Sequence, residues 1–321
     1  MRNTLIILLT ALSLSTFGAL GCDNGPIGDN NNDDGSGNNG DGDGGDGGSD
    51  SSGTSLVIQA PTFTVAPGQE VTQCYYTTLG NAVELGVNKW TSEMTAGSHH
   101  MILFFTDSPL KPDGTLEPDC GFGGSGFNQP QWTFSAQDPH TEFQLPTGVG
   151  MAVKPNQPVF VQMHYLNASD QPLEANVKIT ANTFASGESF EQAQPYVTYN
   201  TNIDVEPNQS GSVSGSCDVP SGANFFVMST HSHHFSTGAQ VHDSGNMLVN
   251  TTDWEHPETV QWDTPHYQFN GKLDYSCNYF NPTNQAVKTG DSAESDEMCM
   301  AVGYFFPGNK PVLCINSFVI P

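Results

Sequence analysis

The chain has 321 residues, enough for about two domains of ordinary size, and carries 34 Asp and Glu against 8 Lys and Arg. Its formal net charge of -26 repels phosphate backbones, so nucleic-acid binding is excluded as an expected function. The 34 glycines and 21 prolines argue against long helices.

The N-terminus resembles a bacterial lipoprotein signal. Arg2 precedes a short apolar run over 5–20, too short for a comfortable membrane span, and the sequence Ala19-Leu20-Gly21-Cys22 ends it. We predict a signal peptide over 1–22 with acylation of Cys22; an ordinary signal peptide is the alternative. The protein is then exported and lipid-anchored at the bacterial cell envelope or cell surface, and it touches the membrane only through the anchor.

Residues 23–54 consist mainly of Gly, Asn, Asp and Ser. Such a segment buries too little apolar surface to offset its chain entropy, which predicts a disordered tether. From residue 55 onward, short apolar or alternating runs such as 101–105 and 159–165 are separated by turn-forming clusters. This pattern predicts an all-β fold of two consecutive antiparallel, jelly-roll-like β-sandwich domains, 55–185 and 186–321, with a cleft between them. No convincing sequence repeat relates the two halves.

The cysteine count supports export. Without Cys22, six cysteines remain, and an even number in an exported chain predicts three disulfides. Spacing alone leaves about 15 pairings open. Because no Cys-x-x-Cys pair occurs, zinc-ribbon and thioredoxin-like sites are not expected.

The ten histidines are grouped. His99 and His100 are adjacent, and neighbours on a regular strand face opposite ways, so one metal could take both only at a strand end or a bulge. His231 and His233 are two apart, which on a strand puts both on one face, with His234 on the other. Each signal is weak alone, since a surface histidine pair has the same sequence.

Four short motifs occur in an informative order. They are His99-His100-Met101 before an apolar strand, Met163-His164-Tyr165, His231-Ser232-His233-His234, and Asp296-Glu297-Met298-Cys299 before an aromatic strand. Together they resemble the copper type II ascorbate-dependent monooxygenases, which include peptidylglycine α-hydroxylating monooxygenase and dopamine β-monooxygenase. The resemblance spans about residues 70–314, most of the predicted folded part.

The resemblance implies two copper ions per chain. One would be held by His99, His100 and His164, and the other, which activates O2, by His231, His233 and Met298. Neutral imidazoles suit copper and a thioether favours Cu(I), although zinc could also occupy the three-histidine site by chemistry alone. The resemblance further implies the disulfides Cys74–Cys120, Cys217–Cys314 and Cys277–Cys299.

The function so implied is that of a copper-dependent monooxygenase. Such an enzyme hydroxylates an activated C–H bond of a small organic substrate with O2 and ascorbate or another small reductant. Two alternatives are a non-catalytic copper-binding or copper-sequestering surface lipoprotein and a β-sandwich adhesion or carbohydrate-binding module.

The peptide-amidating members of that family hold a substrate carboxylate with an arginine where Ser229 stands here, and Met300 and Val302 replace polar contacts. A neutral or cationic, partly apolar substrate is therefore expected.

Overall fold

A computed structural model describes residues 53–120 and 130–320. The predicted signal peptide, Cys22 and all but the last two residues of the predicted tether lie outside the described residues. The described part forms strands and turns without an α-helix. Accordingly, nothing within 53–120 or 130–320 is a helix long and apolar enough to cross a membrane.

In the described residues, the strands before residue 193 pair only with one another. They are β1 (Ser55–Gln59), β2 (Phe63–Val65), β3 (Glu70–Thr78), β4 (Leu85–Met94), β5 (Ser98–Phe105), β6 (Leu116–Pro118), β7 (Gln131–Ala136), β8 (His140–Gln144), β9 (Val149–Val153), β10 (Pro158–Leu166), β11 (Leu173–Ala175), β12 (Val177–Thr183) and β13 (Glu191–Gln192). One sheet has the order β1-β12-β4-β9-β13, with β8 also paired to β4. The facing sheet has the order β6-β3-β10-β5-β7, and β2 pairs with β11.

The strands after residue 193 also pair only with one another, again within the described residues. They are β14 (Gln194–Tyr199), β15 (Asp204–Val205), β16 (Gln209–Asp218), β17 (Asn224–His231), β18 (Ser236–Asp243), β19 (Asn246–Thr251), β20 (Thr259–Gln261), β21 (Lys272–Asn281), β22 (Val287–Lys288), β23 (Met300–Phe306), β24 (Val312–Ile315) and β25 (Phe318–Ile320). The two larger sheets have the orders β20-β17-β23-β14-β24-β25 and β16-β21-β18-β19, and β15 pairs with β22.

The predicted all-β fold is confirmed, and its strands follow the alternation that a half-buried sheet requires. In β12, buried and partly exposed residues alternate along the whole strand, so one face points into the core. Between the first-half sheets, Trp90 of β4 stacks on Phe134 of β7 with ring centroids 5.7 Å apart. In contrast, β5, β10 and β23 are buried on both faces over nearly their whole length. The facing sheet of the same half covers only one face of each strand, so another part of the molecule must cover the second face.

The covering surface is the other half of the molecule. Ile102 and Phe104 of β5 share one buried apolar cluster with Met300 and Val302 of β23. Phe143 of the first half also packs against Tyr304 of β23, with ring centroids 4.8 Å apart. The two halves thus pack against each other through apolar side chains over this part of their contact, because burying these surfaces removes them from water.

Three disulfides join Cys74 to Cys120, Cys217 to Cys314 and Cys277 to Cys299. These are the three pairs that the resemblance implies. Cys277 lies in β21 and Cys299 immediately before β23, so this bridge ties the start of β23 to the opposite sheet of the second half. Each disulfide typically stabilises a fold by about 2–4 kcal/mol.

One turn recurs in the two halves. It follows β10 at 167–171 and closes β21 at 281–285, and each copy is built around a buried asparagine. The Asn167 amide donates to the carbonyl oxygens of Val65 (2.9 Å) and Gln171 (2.8 Å). The same bonds run from Asn281 to Val205 (2.9 Å) and Gln285 (2.7 Å). This turn is a short internal repeat that was not recognised in the sequence.

Candidate metal centre

Five of the six predicted metal ligands meet in one buried cluster between the halves. They are His99, His100, His164, His231 and His233. The ligand atoms of His99, His100 and His164 all lie within 4.8 Å of one another, and those of His99, His231 and His233 do the same. The sequence predicts two separate sites for these histidines. In the structure the two groups lie side by side and His99 belongs to both.

A β-bulge explains how two adjacent histidines reach one point. Along the β5–β10 pair, Tyr165 lies opposite Ser98 and the next residue, His164, lies opposite His100. His99 is therefore the extra residue of a bulge, which lets its side chain turn toward the side that His100 occupies. The expectation that an adjacent pair needs a strand end or a bulge is met.

His231 and His233 meet the cluster for a different reason from the one expected. His231 is the last residue of β17, and His233 lies beyond the strand, so strand alternation does not align them. The buried Glu297 carboxylate shapes the loop instead, since it accepts from the backbone N–H of His233 (3.0 Å) and Phe235 (2.6 Å). Burial raises the pKa of Glu297 to about 7, although these hydrogen bonds oppose the change. The exposed His234 is outside both groups.

Met298 is buried and held by its backbone. Its carbonyl oxygen accepts from the Tyr279 hydroxyl at 3.0 Å, its N–H donates to Glu297 at 3.2 Å, and Cys299 beside it is disulfide-bonded. The resemblance groups Met298 with His231 and His233. In the structure it borders a cavity of about 300 Å³ together with His100 and His164.

Hydrogen bonds outside the cluster set which ring nitrogen of three histidines is free. His164 Nε2 lies 2.7 Å from Glu70 Oε1, His231 Nδ1 lies 3.3 Å from Gln137 Oε1, and His233 Nδ1 lies 3.3 Å from the Asp296 carbonyl oxygen. All three oxygens are acceptors, so each ring donates there. Its other nitrogen then carries the lone pair that a metal requires.

The residues present fit a metal of imidazole preference. His99 Nε2, His100 Nδ1 and His233 Nε2 are buried without a hydrogen-bond partner. A buried polar atom left unpaired costs about 1–3 kcal/mol, and one ion would satisfy several of these atoms together. Burial, with repulsion from neighbouring imidazoles, lowers the pKa of all three rings well below the ordinary histidine value. It also lowers the pKa of His231 to about 4, so these rings are neutral ligands at pH 7.

Glu70 is a carboxylate that contacts an imidazole ring of the cluster directly. Burial favours its neutral form, but hydrogen bonds from His164, Ser292 and the Ala293 N–H outweigh burial and lower the pKa of Glu70 to about 2. It is therefore ionised at all ordinary pH values. A carboxylate behind a ligating histidine fixes the ring and raises its basicity.

Two cavities meet the histidine cluster from different sides, and His100 borders both. The first, of about 230 Å³, reaches His100 and His231 and has an aromatic wall made of Trp132, Phe134, Phe143 and Tyr304. Ser229 and Val302 also line it, and its Glu142 is ion-paired with Lys89 at 2.9 Å. The second carries the carboxylates of Glu70, Asp119 and Asp291 beside Met298.

Glu70 and Gln137 were not singled out in the sequence. Glu70 lies opposite Leu166 in the β3–β10 pair, two residues from the position opposite His164, so both side chains share one face. Only the strand register reveals this neighbourhood. Gln137 follows β7 and reaches His231 across the interface between the halves, for which the sequence holds no signal.

No family model matches the chain, and no curated protein matches it. Among solved structures, the chain is similar to the major capsid protein P2 of bacteriophage PM2, with 8% identity, a TM-score of 0.32, and coverage of 78% of this chain and 97% of that one. It is also similar to PNGase F, a glycosylasparaginase from Flavobacterium meningosepticum, with 7% identity, a TM-score of 0.36, and coverage of 80% and 97%. At these TM-scores neither similarity bears on what this chain does.

Proposed function

We propose that this protein is a copper-dependent monooxygenase that hydroxylates an activated C–H bond of a small organic substrate. The observation that carries the proposal is the convergence of five buried imidazoles, several with unpartnered ring nitrogens, at one point. The order of the motifs and the three disulfide pairs support copper, as in the family that the sequence resembles. Net oxygenation consumes one C–H bond, one O2, two electrons and two protons, and yields the alcohol and one water.

The side chains have separable tasks in this proposal. His99, His100 and His164 would hold one ion, and His231 and His233, with Met298 if its thioether reaches them, would hold the other. Copper bound there would supply one-electron redox chemistry and O2 activation. Glu70, Gln137 and the Asp296 carbonyl keep the rings oriented through their outer nitrogens. The aromatic wall of the first cavity would shield the reacting C–H group from water.

The two cavities suggest separate routes for substrate and reductant. An apolar or aromatic group fits the first cavity, which opens onto His100 and His231. The three carboxylates of the second cavity disfavour an anionic reductant such as ascorbate and favour a neutral or cationic one. Ascorbate remains the reductant that the resemblance implies, and a comparison of reductants at varied ionic strength would separate these choices.

The first cavity also supports a neutral or cationic substrate rather than a peptide carboxylate. Ser229 occupies its wall where the resemblance would require an arginine, and its hydroxyl donates to the Glu258 carbonyl oxygen at 2.9 Å. No lysine lines this cavity among the described residues, and Lys89 beside it is paired with the lining residue Glu142. A glycine-extended peptide and an arylalkylamine should be offered side by side with copper, O2 and reductant. Efficient hydroxylation of the peptide, with the amine inert, would overturn this substrate class.

The function itself is tested by metal content and O2 consumption. We expect purified protein to bind two equivalents of copper. With substrate and reductant, we expect it to consume one O2 for each hydroxylated product molecule formed. Copper binding without substrate-dependent O2 consumption would identify the copper-sequestering alternative. Failure to bind copper at all would leave only the adhesion or carbohydrate-binding alternative.

A further inference from the structure

Glu70 contacts both halves of the molecule through one carboxylate. It belongs to β3 of the first half and accepts from His164 Nε2 at 2.7 Å. The same oxygen accepts from the N–H of Ala293 at 2.7 Å, and its other oxygen accepts from the Ser292 hydroxyl at 2.8 Å. Ser292 and Ala293 lie in the second half, in the segment that leads to Met298. The carboxylate that holds His164 is therefore also hydrogen-bonded to the opposite half.

Gln137 makes a reciprocal connection. It follows β7 in the first half, and its Oε1 lies 3.3 Å from Nδ1 of His231 in the second. Its amide nitrogen donates to the carbonyl oxygens of Trp254 and Glu255, both at 3.4 Å. The outer nitrogens of His164 and His231 are thus both satisfied by side chains that span the interface.

We propose that Glu70 is a positioning residue that couples metal binding at His164 to the contact between the halves. The inference rests on the proposed function only in taking the cluster to bind metal. When the halves separate, Glu70 loses the two second-half donors that fix it, and His164 loses a fixed acceptor. A metal that needs His164 oriented therefore favours the closed contact, and by linkage the closed contact favours metal binding.

The three donors on Glu70 make the variants informative. Glu70→Ala removes all three bonds, whereas Glu70→Gln retains a carbonyl oxygen that can still accept from His164 and Ala293. Ser292→Ala removes one bond to the second half and leaves the bond to His164 in place. Glu93, which pairs with Lys178 at 3.2 Å on the exposed surface, provides a matched carboxylate control.

Two measurements on the full folded chain test the coupling. The first is competition for Cu(I) with a chelator of known affinity, repeated with Zn(II) as a redox-inert probe. The second is hydrogen exchange of the 291–296 amides with and without metal, since the Ala293 N–H is itself a donor to Glu70. We expect Glu70→Ala to weaken metal binding about 10–100-fold and to abolish metal-induced protection of these amides. Glu70→Gln should have a smaller effect, and Glu93→Ala none.

The outcomes separate this inference from the function. If wild-type protein binds metal and Glu70→Ala binds it equally well, Glu70 is only structural and the coupling is refuted, while the metal centre stands. Loss of amide protection in Glu70→Ala with unchanged affinity refutes the coupling in the same way. If wild-type protein binds neither Cu(I) nor Zn(II), the metal centre and the coupling both fail.

Discussion

The two halves share a scaffold, and they differ at the candidate metal-binding residues. β10 lies between β3 and β5, and β21 lies between β16 and β18 in the same arrangement. The sequences 164–171 and 278–285, HYLNASDQ and NYFNPTNQ, end these central strands in the same asparagine turn. Even the bulge recurs: Tyr279 lies opposite Ser236, and Asn278 lies opposite Gly238, which leaves Thr237 as the extra residue.

At the positions equivalent to the first-half site, the second half carries no histidine. Register places Asn278, Gly238 and Thr237 where the first half has His164, His100 and His99. The counterpart of Glu70 is Ser210. The second-half histidines come instead from the end of β17, in the other sheet. The bulge is therefore a property of the shared scaffold, and the centre lies at the interface rather than in two copies of one site.

The largest expected effect comes from giving the first half the residues of the second. The triple change His99→Thr, His100→Gly and His164→Asn should abolish turnover and remove copper from the first-half group, and it should also weaken copper binding at His231 and His233, because His99 lies within ligand distance of both groups. The fold should survive, since the counterpart bulge already accommodates these residues. Copper content and circular dichroism check this result. Two full equivalents of copper in the folded variant would refute the assignment of these three histidines as ligands.

Single changes should sharpen the same comparison. His164→Ala should lower the copper content of the first-half group and leave copper binding at His231 and His233 unchanged, because their ligand group does not include His164.

Met298→Ala should weaken Cu(I) binding at the second-half group and abolish turnover if the implied ligand set holds. If it instead weakens binding as His164→Ala does, Met298 serves the group with which it shares a cavity. Loss of both ions, or of neither, in either variant would contradict a two-site centre.

The recurring turn predicts equal stability losses in the two halves. Asn167→Ala and Asn281→Ala each leave one buried and one partly buried carbonyl oxygen without the asparagine amide. We expect each to lower the free energy of unfolding by about 2–4 kcal/mol, because an unpaired buried group costs about 1–3 kcal/mol. Chemical denaturation followed by fluorescence measures the loss. Asn250→Ala, in an exposed side-chain pair with Gln240, is the control, and a loss there of similar size would contradict the argument.

The last expected effect is the pH dependence of the metal-free protein. Burial lowers the folded-state pKa of His99, His100, His231 and His233, so the unfolded chain binds more protons between about pH 4 and 6.5. The contribution of these neutral histidines to the free energy of unfolding is therefore fully present above about pH 6.5 and is lost as pH falls. His231 contributes on the order of 3 kcal/mol of it. Thermal unfolding at pH 7 and 5 measures the slope. His231→Gln should reduce this slope, and exposed His140→Gln should leave it unchanged.

The sequence predicted those parts of the site that depend on local chemistry and motif order. The all-β fold followed from short strands and turns, and the bulge requirement followed from two adjacent histidines. Glu70 could not be predicted from the sequence because its nearness to His164 depends on the register between β3 and β10. The place of His233 could not be read from alternation, because β17 ends at His231 and a carboxylate 64 residues away shapes the loop. The close approach of the two histidine groups, which share His99, depends on packing between the halves, and no local pattern encodes this packing.

The Cys277–Cys299 disulfide has a consequence for the maturation of the protein. It fixes the residue next to Met298, in the segment whose Glu297 also shapes the loop of His233. A chain with reduced cysteines lacks this restraint on the segment that carries Met298 and Glu297. If the proposed metal centre holds, formation of this disulfide would therefore precede stable metal binding at His231 and His233.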